Sequence, residues 1–208
     1  MLSLISSIAL FLAAHILPAL PAPRTRLARR LGERVYLLAY GVLSLLLLAL
    51  IAVAYAQAPR PPLWETPIWL RHLTLLIMLP CCYFLVATFT TPNPYSIGIG
   101  AKGFDPENPG PLRLSKHPLL LALCLWSGAH LAVNGDAASA LLFGFLLLLS
   151  LAGFPMMAAK RRAPPFPGKR LSFSDIGWVR IALALALYAL LLWAHPHVIG
   201  VDPLFTVR

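Results

Sequence analysis

The sequence predicts an all-α protein, a polytopic membrane helix bundle with six transmembrane helices and both termini outside, and three observations carry that prediction. Hydrophobic residues make up 59% of the 208 positions and charged residues only 12%, where a soluble domain carries ~25% charged. Apolar runs of about 18 residues or more recur along the chain, giving more apolar length than one soluble core of this size covers. The lysines and arginines are sorted into particular connecting segments. A large soluble domain is thereby excluded, and membrane topology accounts for the net charge of +10 better than a nucleic-acid partner does.

The runs cover residues 2–20, 36–57, 69–89, 118–134, 138–159 and 178–199, and each is expected to be a helix in one domain spanning residues 1–208. The first run has no basic residue before it and arginines directly after it, the reverse of a secretory signal. Proline-rich, charged stretches separate the runs and read as loops. The fourth and fifth runs are joined by about three residues around Gly135 and Asp136, so they should form an antiparallel hairpin. The long loop 90–117 is rich in glycine and proline, and its order should come from what it packs against. Its Gly98, Gly100 and Gly103 spell Gly-x-Gly-x-x-Gly without a surrounding βαβ unit, so no nucleotide is assigned. Cys81, Cys82 and Cys124 all fall inside apolar runs and read as small buried hydrophobes rather than a disulfide framework.

Orientation follows from the bases. Loops one, three and five hold fourteen of the seventeen lysines and arginines, among them Arg24, Arg34, Lys102, Arg113, Lys160 and Arg180, while Arg60, Arg71 and Arg208 fall on the other side. The odd loops are expected in the cytoplasm, in a multi-pass protein of a bacterial inner membrane in contact with lipid.

Six histidines, His15, His72, His117, His130, His195 and His197, lie within or at the ends of the proposed helices. Ionisable side chains inside a membrane are costly and need a partner or a task, and a neutral imidazole offers iron a lone pair while its other nitrogen donates outward. Structural hydrogen bonding is the plainer role for any one of them. In the fourth run Trp126, Ser127, His130 and Asn134 recur at spacings of three and four, a polar stripe that must face protein. His117 stands ~20 Å from His130 along that helix, so the two cannot share a metal; it reads equally as an interfacial residue where Pro118 starts the helix. Ser3, Ser7, Phe11 and His15, and likewise Tyr36, Tyr40 and Ser44, put partly polar faces on the first two helices, a pattern that ordinary membrane packing also produces. Trp69, Arg71 and His72 open the third helix and Trp193, His195 and His197 close the sixth. Interface anchoring and a pocket role are both open for His72 and His195.

The segment KHPLLLALCLWSGAHLAVNGD (residues 116–136) resembles the basic-His-Pro...Leu-Trp-x-x-Ala-His...Asn-Gly segment of the NnrU family, which includes the plant 15-cis-ζ-carotene isomerases. AAHILPALPAPRTRLARRLGERVYLLAYGVLSL, WLRHLTLLIMLP and LYALLLWAHPHVIGVDP extend the resemblance over most of the chain. It implies a polytopic membrane fold and, from the isomerase branch, a b-type haem ligated by histidine. Matched motif by motif, the iron ligands fall on His15 and His130, with His72, His117 and Trp126 as further cofactor-contacting candidates. The isomerases carry a cysteine three residues before the second histidine, whereas this chain has Ser127, so a ligand switch through that thiol is not carried over. By rise per residue His15 lies ~20 Å and His130 ~10 Å from the outer edge, a pairing that needs tilt or a canted haem, and His72 is the alternative partner by depth.

The resemblance leaves the reaction open. The isomerase branch implies cis-trans isomerisation of a polyene or another apolar substrate, and the bacterial members are associated with denitrification and nitric oxide metabolism. A haem protein for electron transfer with a redox partner, a gas sensor and a non-catalytic assembly factor are the alternatives. A further one is an S-adenosylmethionine-dependent methyltransferase of the isoprenylcysteine type, which also places Lys/Arg-His-Pro at a cytoplasmic helix start. The acidic cofactor segment of those enzymes is reduced here to Asp175.

Overall fold

A computed structural model describes residues 1–19, 21–160 and 172–204. In chain order the elements are α1 (Leu2–Ala19), α2 (Pro21–Leu31), α3 (Glu33–Ala56), α4 (Ile68–Thr90), a short 3-10 helix (Gly110–Arg113), α5 (Pro118–Val133), α6 (Ala137–Lys160), α7 (Phe173–Ile176) and α8 (Trp178–Val198). Among the described residues the only pairing of extended backbone is an isolated bridge between Pro62 and Asp136. The fold is all-helical, as composition and periodicity require.

The six apolar runs correspond to α1, α3, α4, α5, α6 and α8. Four of these, α3, α4, α6 and α8, are long and apolar enough to cross a membrane, while the apolar stretches Leu2–Ile16 and Pro118–Val133 are shorter. Sixteen residues of α5 rise ~24 Å, less than the ~30 Å of a hydrocarbon core. Its ends are fixed by sequence: His117 takes the N-cap position before Pro118 at one end, and Asn134 leaves the helical region at the other. Exposed leucines such as Leu38, Leu45 and Leu46 on α3 and Leu185 and Leu190 on α8 are the faces such helices turn to lipid.

Two compact units divide the chain. The first comprises Met1–Leu63 and Asp136–Leu142. Here α1 packs on α3, and α2 touches both. Leu4, Ser7, Ile8 and Phe11 are the buried face of α1, and Leu47, Ile51 and Ala54 are buried on α3, each series at helical spacing. α2 corrects the reading of this stretch as a loop. Its arginines, alanines and leucines are good helix formers, and Arg29 and Arg30 in its last turn complement the negative end of the helix dipole; Leu27, Ala28 and Leu31 form its short apolar stripe among four arginines. Gly32, at φ 81°, takes the left-handed turn that separates α2 from α3 at little steric cost. At the other end of α3, the Arg60 guanidinium lies 4.4 Å from the centre of the Tyr55 ring and 3.6 Å from the Asp136 carboxylate. Tyr55 and Ser139 hydroxyls are hydrogen-bonded at 2.8 Å, and Ser139 donates its hydroxyl and its N–H to the two oxygens of Asp136. Asp136 therefore caps α6 and anchors the end of α3 together.

The second unit comprises Trp64–Gly135 and Phe143–Arg208. α4 packs on both α5 and α8. α5 and α6 form the expected antiparallel hairpin: His130 meets Phe143, Gly128 faces Leu147, Gly153 faces Leu120, and His117 meets Phe154. A Cβ on Gly135 would lie 2.0 Å from the Trp64 carbonyl oxygen, so only glycine permits that approach. The 91–117 segment is held by packing. Buried Asn93 donates to the Lys116 carbonyl at 3.0 Å and accepts the Tyr95 N–H at 2.8 Å. Burial pushes the Tyr95 hydroxyl above its ordinary pKa. Arg113 and Asp175, both largely buried, pair at 3.4 Å, Tyr83 donates to the Ile176 carbonyl, and Arg180 donates to Thr90. These contacts fasten the loop and α7 to the ends of α4 and α8. Residues 161–171, which include four bases of loop five and most of the stretch where a methyltransferase cofactor segment would fall, lie outside the described residues, as does Arg208.

A candidate ligand cavity between α4, α5 and α8

A cavity of about 520 Å³ opens inside the second unit, within the ~300–1,000 Å³ range of small-ligand and cofactor sites. Three helices line it. From α4 come Arg71, Thr74, Leu75, Met78, Cys81, Cys82 and Leu85, a run of three- and four-residue steps that traces one helix face. α5 contributes Leu123, Trp126, His130 and Asn134, and α8 contributes Tyr188, Leu191, Leu192 and His195, again at helical spacing. Val201, Asp202 and Pro203 close one side.

The lining is sorted by polarity. Arg71 and Thr74 lie near the start of α4, His130 and Asn134 at the end of α5, and His195 at the end of α8. Antiparallel α4 and α5 bring these ends together, so the polar groups gather at one end of the slot. Leu85, Leu123, Cys82 and Tyr188 make the rest largely apolar. Among the described residues Arg71 has no ion-pair or hydrogen-bond partner. A half-buried cation and amide at one end of an apolar slot suit a ligand with an apolar body and an anionic or hydrogen-bonding edge.

His130 is the best-defined group in the cavity. Its Nδ1 lies 2.9 Å from the Trp126 carbonyl; a carbonyl only accepts, so Nδ1 carries the proton and Nε2 keeps its lone pair. Trp126 at 5.4 Å and Phe143 at 5.1 Å between ring centres fix the imidazole. His195 approaches it from α8, ring centres 6.3 Å apart and planes inclined by 41°.

Of the other residues singled out by sequence, some line the cavity and some do not. His15 belongs to the first unit, where its Nδ1 makes the same bond to the Phe11 carbonyl, at 2.9 Å, and its ring stacks on Phe11 at 3.9 Å. Ser44 Oγ stands 3.4 Å from its Nε2, with Tyr40 5.4 Å away, centre to centre. His72 is exposed and outside the cavity, whose wall takes its neighbour Arg71 instead. His117 is the N-cap of α5, packed edge-on to Phe154 at 5.7 Å, and is not part of the lining. Trp126 does line the cavity, whereas Ser127 is fully buried and bonded back to the Leu123 carbonyl. Cys81 and Cys82 are buried as expected and form part of the wall, and Cys124 is half-buried. Sequence reasoning missed Arg71, Tyr188 and Asp202 as cavity residues. The step from Arg71 through Thr74 and Met78 to Cys81 was the available signal.

Fold and composition together define a polytopic α-helical membrane protein, with a cavity between α4, α5 and α8. The family model described as NnrU protein matches residues 3–203, and the chain belongs to the NnrU family. No curated protein and no solved structure matches it.

Proposed function

We propose that this NnrU protein is a multi-pass haem b protein of a bacterial inner membrane, whose haem would be held in the α4–α5–α8 cavity by His130. The observation that carries the reading is the His130 ring, whose Nδ1–H is committed to the Trp126 carbonyl and whose Nε2 lone pair is left for iron on the wall of an apolar slot of cofactor size. The donor set favours a macrocycle over a bare ion. Among the described residues no three histidine, cysteine, aspartate or glutamate side chains gather where they could hold a metal, so a metal here must bring most of its ligands with it. Arg71 and Asn134 would meet the carboxylate edge of such a ring, and the leucines and Trp126 its faces.

Bound haem would supply redox chemistry, reversible ligand binding, or an iron able to weaken one double bond of a polyene enough for cis-trans rotation. The chain's own part is to ligate, to exclude water and to present an apolar surface to the substrate. Six spans, with α1 and α5 completing the four long helices, and both termini outside complete the reading; the mismatch of α5 is of a size that local thinning of the bilayer absorbs.

The test is the protein purified in mild detergent, with oxidised and dithionite-reduced visible spectra and a pyridine haemochrome assay beside a His130→Ala variant. A b-type spectrum is expected from the wild type, with at least a tenfold loss of haem per protein in the variant. A folded wild type that stays colourless after haem supplementation overturns the proposal. Turnover of a cis-polyene by the loaded protein then separates an isomerase from a redox or gas-binding role.

A further inference from the structure

We propose that His195 on α8 is the second histidine that would hold haem b together with His130, so that the group would be clamped between α5 and α8. This rests on the haem reading above. The distance is the first argument: two imidazoles bound to one metal from opposite sides, with bonds of ~2 Å and each nitrogen ~1 Å from its ring centre, have centres ~6 Å apart, and His130 and His195 stand at 6.3 Å. Both line one cavity within one compact unit. Neither ring is committed elsewhere at the atom required. His130 uses only Nδ1, for Trp126, and among the described residues the His195 ring has no hydrogen-bond partner.

The remaining histidines are placed differently. His15 Nε2 has Ser44 Oγ at 3.4 Å, but that hydroxyl donates to the Tyr40 carbonyl at 2.8 Å, and His15 is not among the residues that line the cavity. His197, two residues from His195, is exposed and bonded back to the Trp193 carbonyl. His72 is exposed outside the lining.

The test compares purified, haem-loaded wild type with His195→Ala and His15→Ala by visible and low-temperature electron paramagnetic resonance spectroscopy. Wild type should be six-coordinate and low-spin. His195→Ala should lose the low-spin signal, become high-spin, and recover the low-spin signal on addition of imidazole, while His15→Ala keeps it. His195→Gln, which preserves bulk and polarity, replaces the alanine variant if that one fails to fold. Loss of the low-spin signal in His15→Ala with its retention in the His195 variants overturns the clamp alone. A folded wild type that holds no haem overturns the haem reading and the clamp together.

Discussion

One histidine device recurs at three positions: His15, His130 and His197 each turn Nδ1 onto the carbonyl four residues earlier. The bond fixes the tautomer, and the surroundings then decide what the other nitrogen meets: a serine hydroxyl for His15 and the cavity for His130. At Asp136 burial pushes the carboxyl up, but hydrogen bonds from Ser139 and the charge of Arg60 outweigh it, and the carboxyl is held below the ordinary carboxylate range. A depressed carboxylate stabilises the fold above the unfolded-state pKa of ~3.9, and that share is lost as pH falls through the lower folded value. Asp136→Asn should therefore unfold earlier than wild type at pH 7, with the gap narrowing below about pH 4, in thermal melts followed by circular dichroism in detergent. Sequence alone made the polar stripe of α5 legible, since Trp126, His130 and Asn134 interrupt an apolar helix at helical spacing. It did not tell Arg71 from His72. Adjacent helical residues point ~100° apart, and a helix apolar all round gives no phase by which to decide which of two neighbours faces inward.

At the scale of elements, run length and charge placed the long helices to within about three residues, because a membrane helix is written as an uninterrupted apolar stretch. α2 and the order of the 91–117 segment were illegible for opposite reasons. α2 carries a short apolar stripe of Leu27, Ala28 and Leu31 hidden among prolines and four arginines, and the loop is held by long-range contacts such as Asn93 with Lys116. The pairing of Arg113 with Asp175 is another such contact, invisible in a sequence where the two stand in different loops. Arg113→Met strands a largely buried carboxylate and should cost about 3 kcal/mol, the range for breaking such pairs. Replacing both partners, Arg113→Met with Asp175→Leu, should recover much of it, because no charge is left uncompensated. Thermal unfolding of the two variants beside wild type checks the order; equal loss in both would mean that the pair contributes through packing.

The whole molecule is governed by where its bases lie. Lys102, Arg113 and Lys116 belong to the 91–117 segment, whereas Arg60 lies in the connection between α3 and α4, and the positive-inside rule puts these on opposite sides. Cysteine placed at Arg60 should react with a membrane-impermeant maleimide in intact spheroplasts, and cysteine placed at Lys102 only after lysis, in a background with Cys81, Cys82 and Cys124 changed to alanine. The reverse pattern would invert the orientation. The charge asymmetry is the one global property that sequence states outright; the division into two units, with α6 beginning in one and continuing in the other, depends on contacts between residues far apart in the chain.

The brevity of the turn between α5 and α6 carries a consequence for assembly under the six-span reading proposed above. Only Asn134, Gly135 and Asp136 separate the two helices, so on that reading the pair would enter the bilayer as a single hairpin. Its tip would carry a carboxylate across the hydrocarbon, and the Ser139 groups that satisfy Asp136 would travel on the same hairpin. The tip would thus bring its own hydrogen-bond donors through the barrier, with Arg60 pairing after arrival.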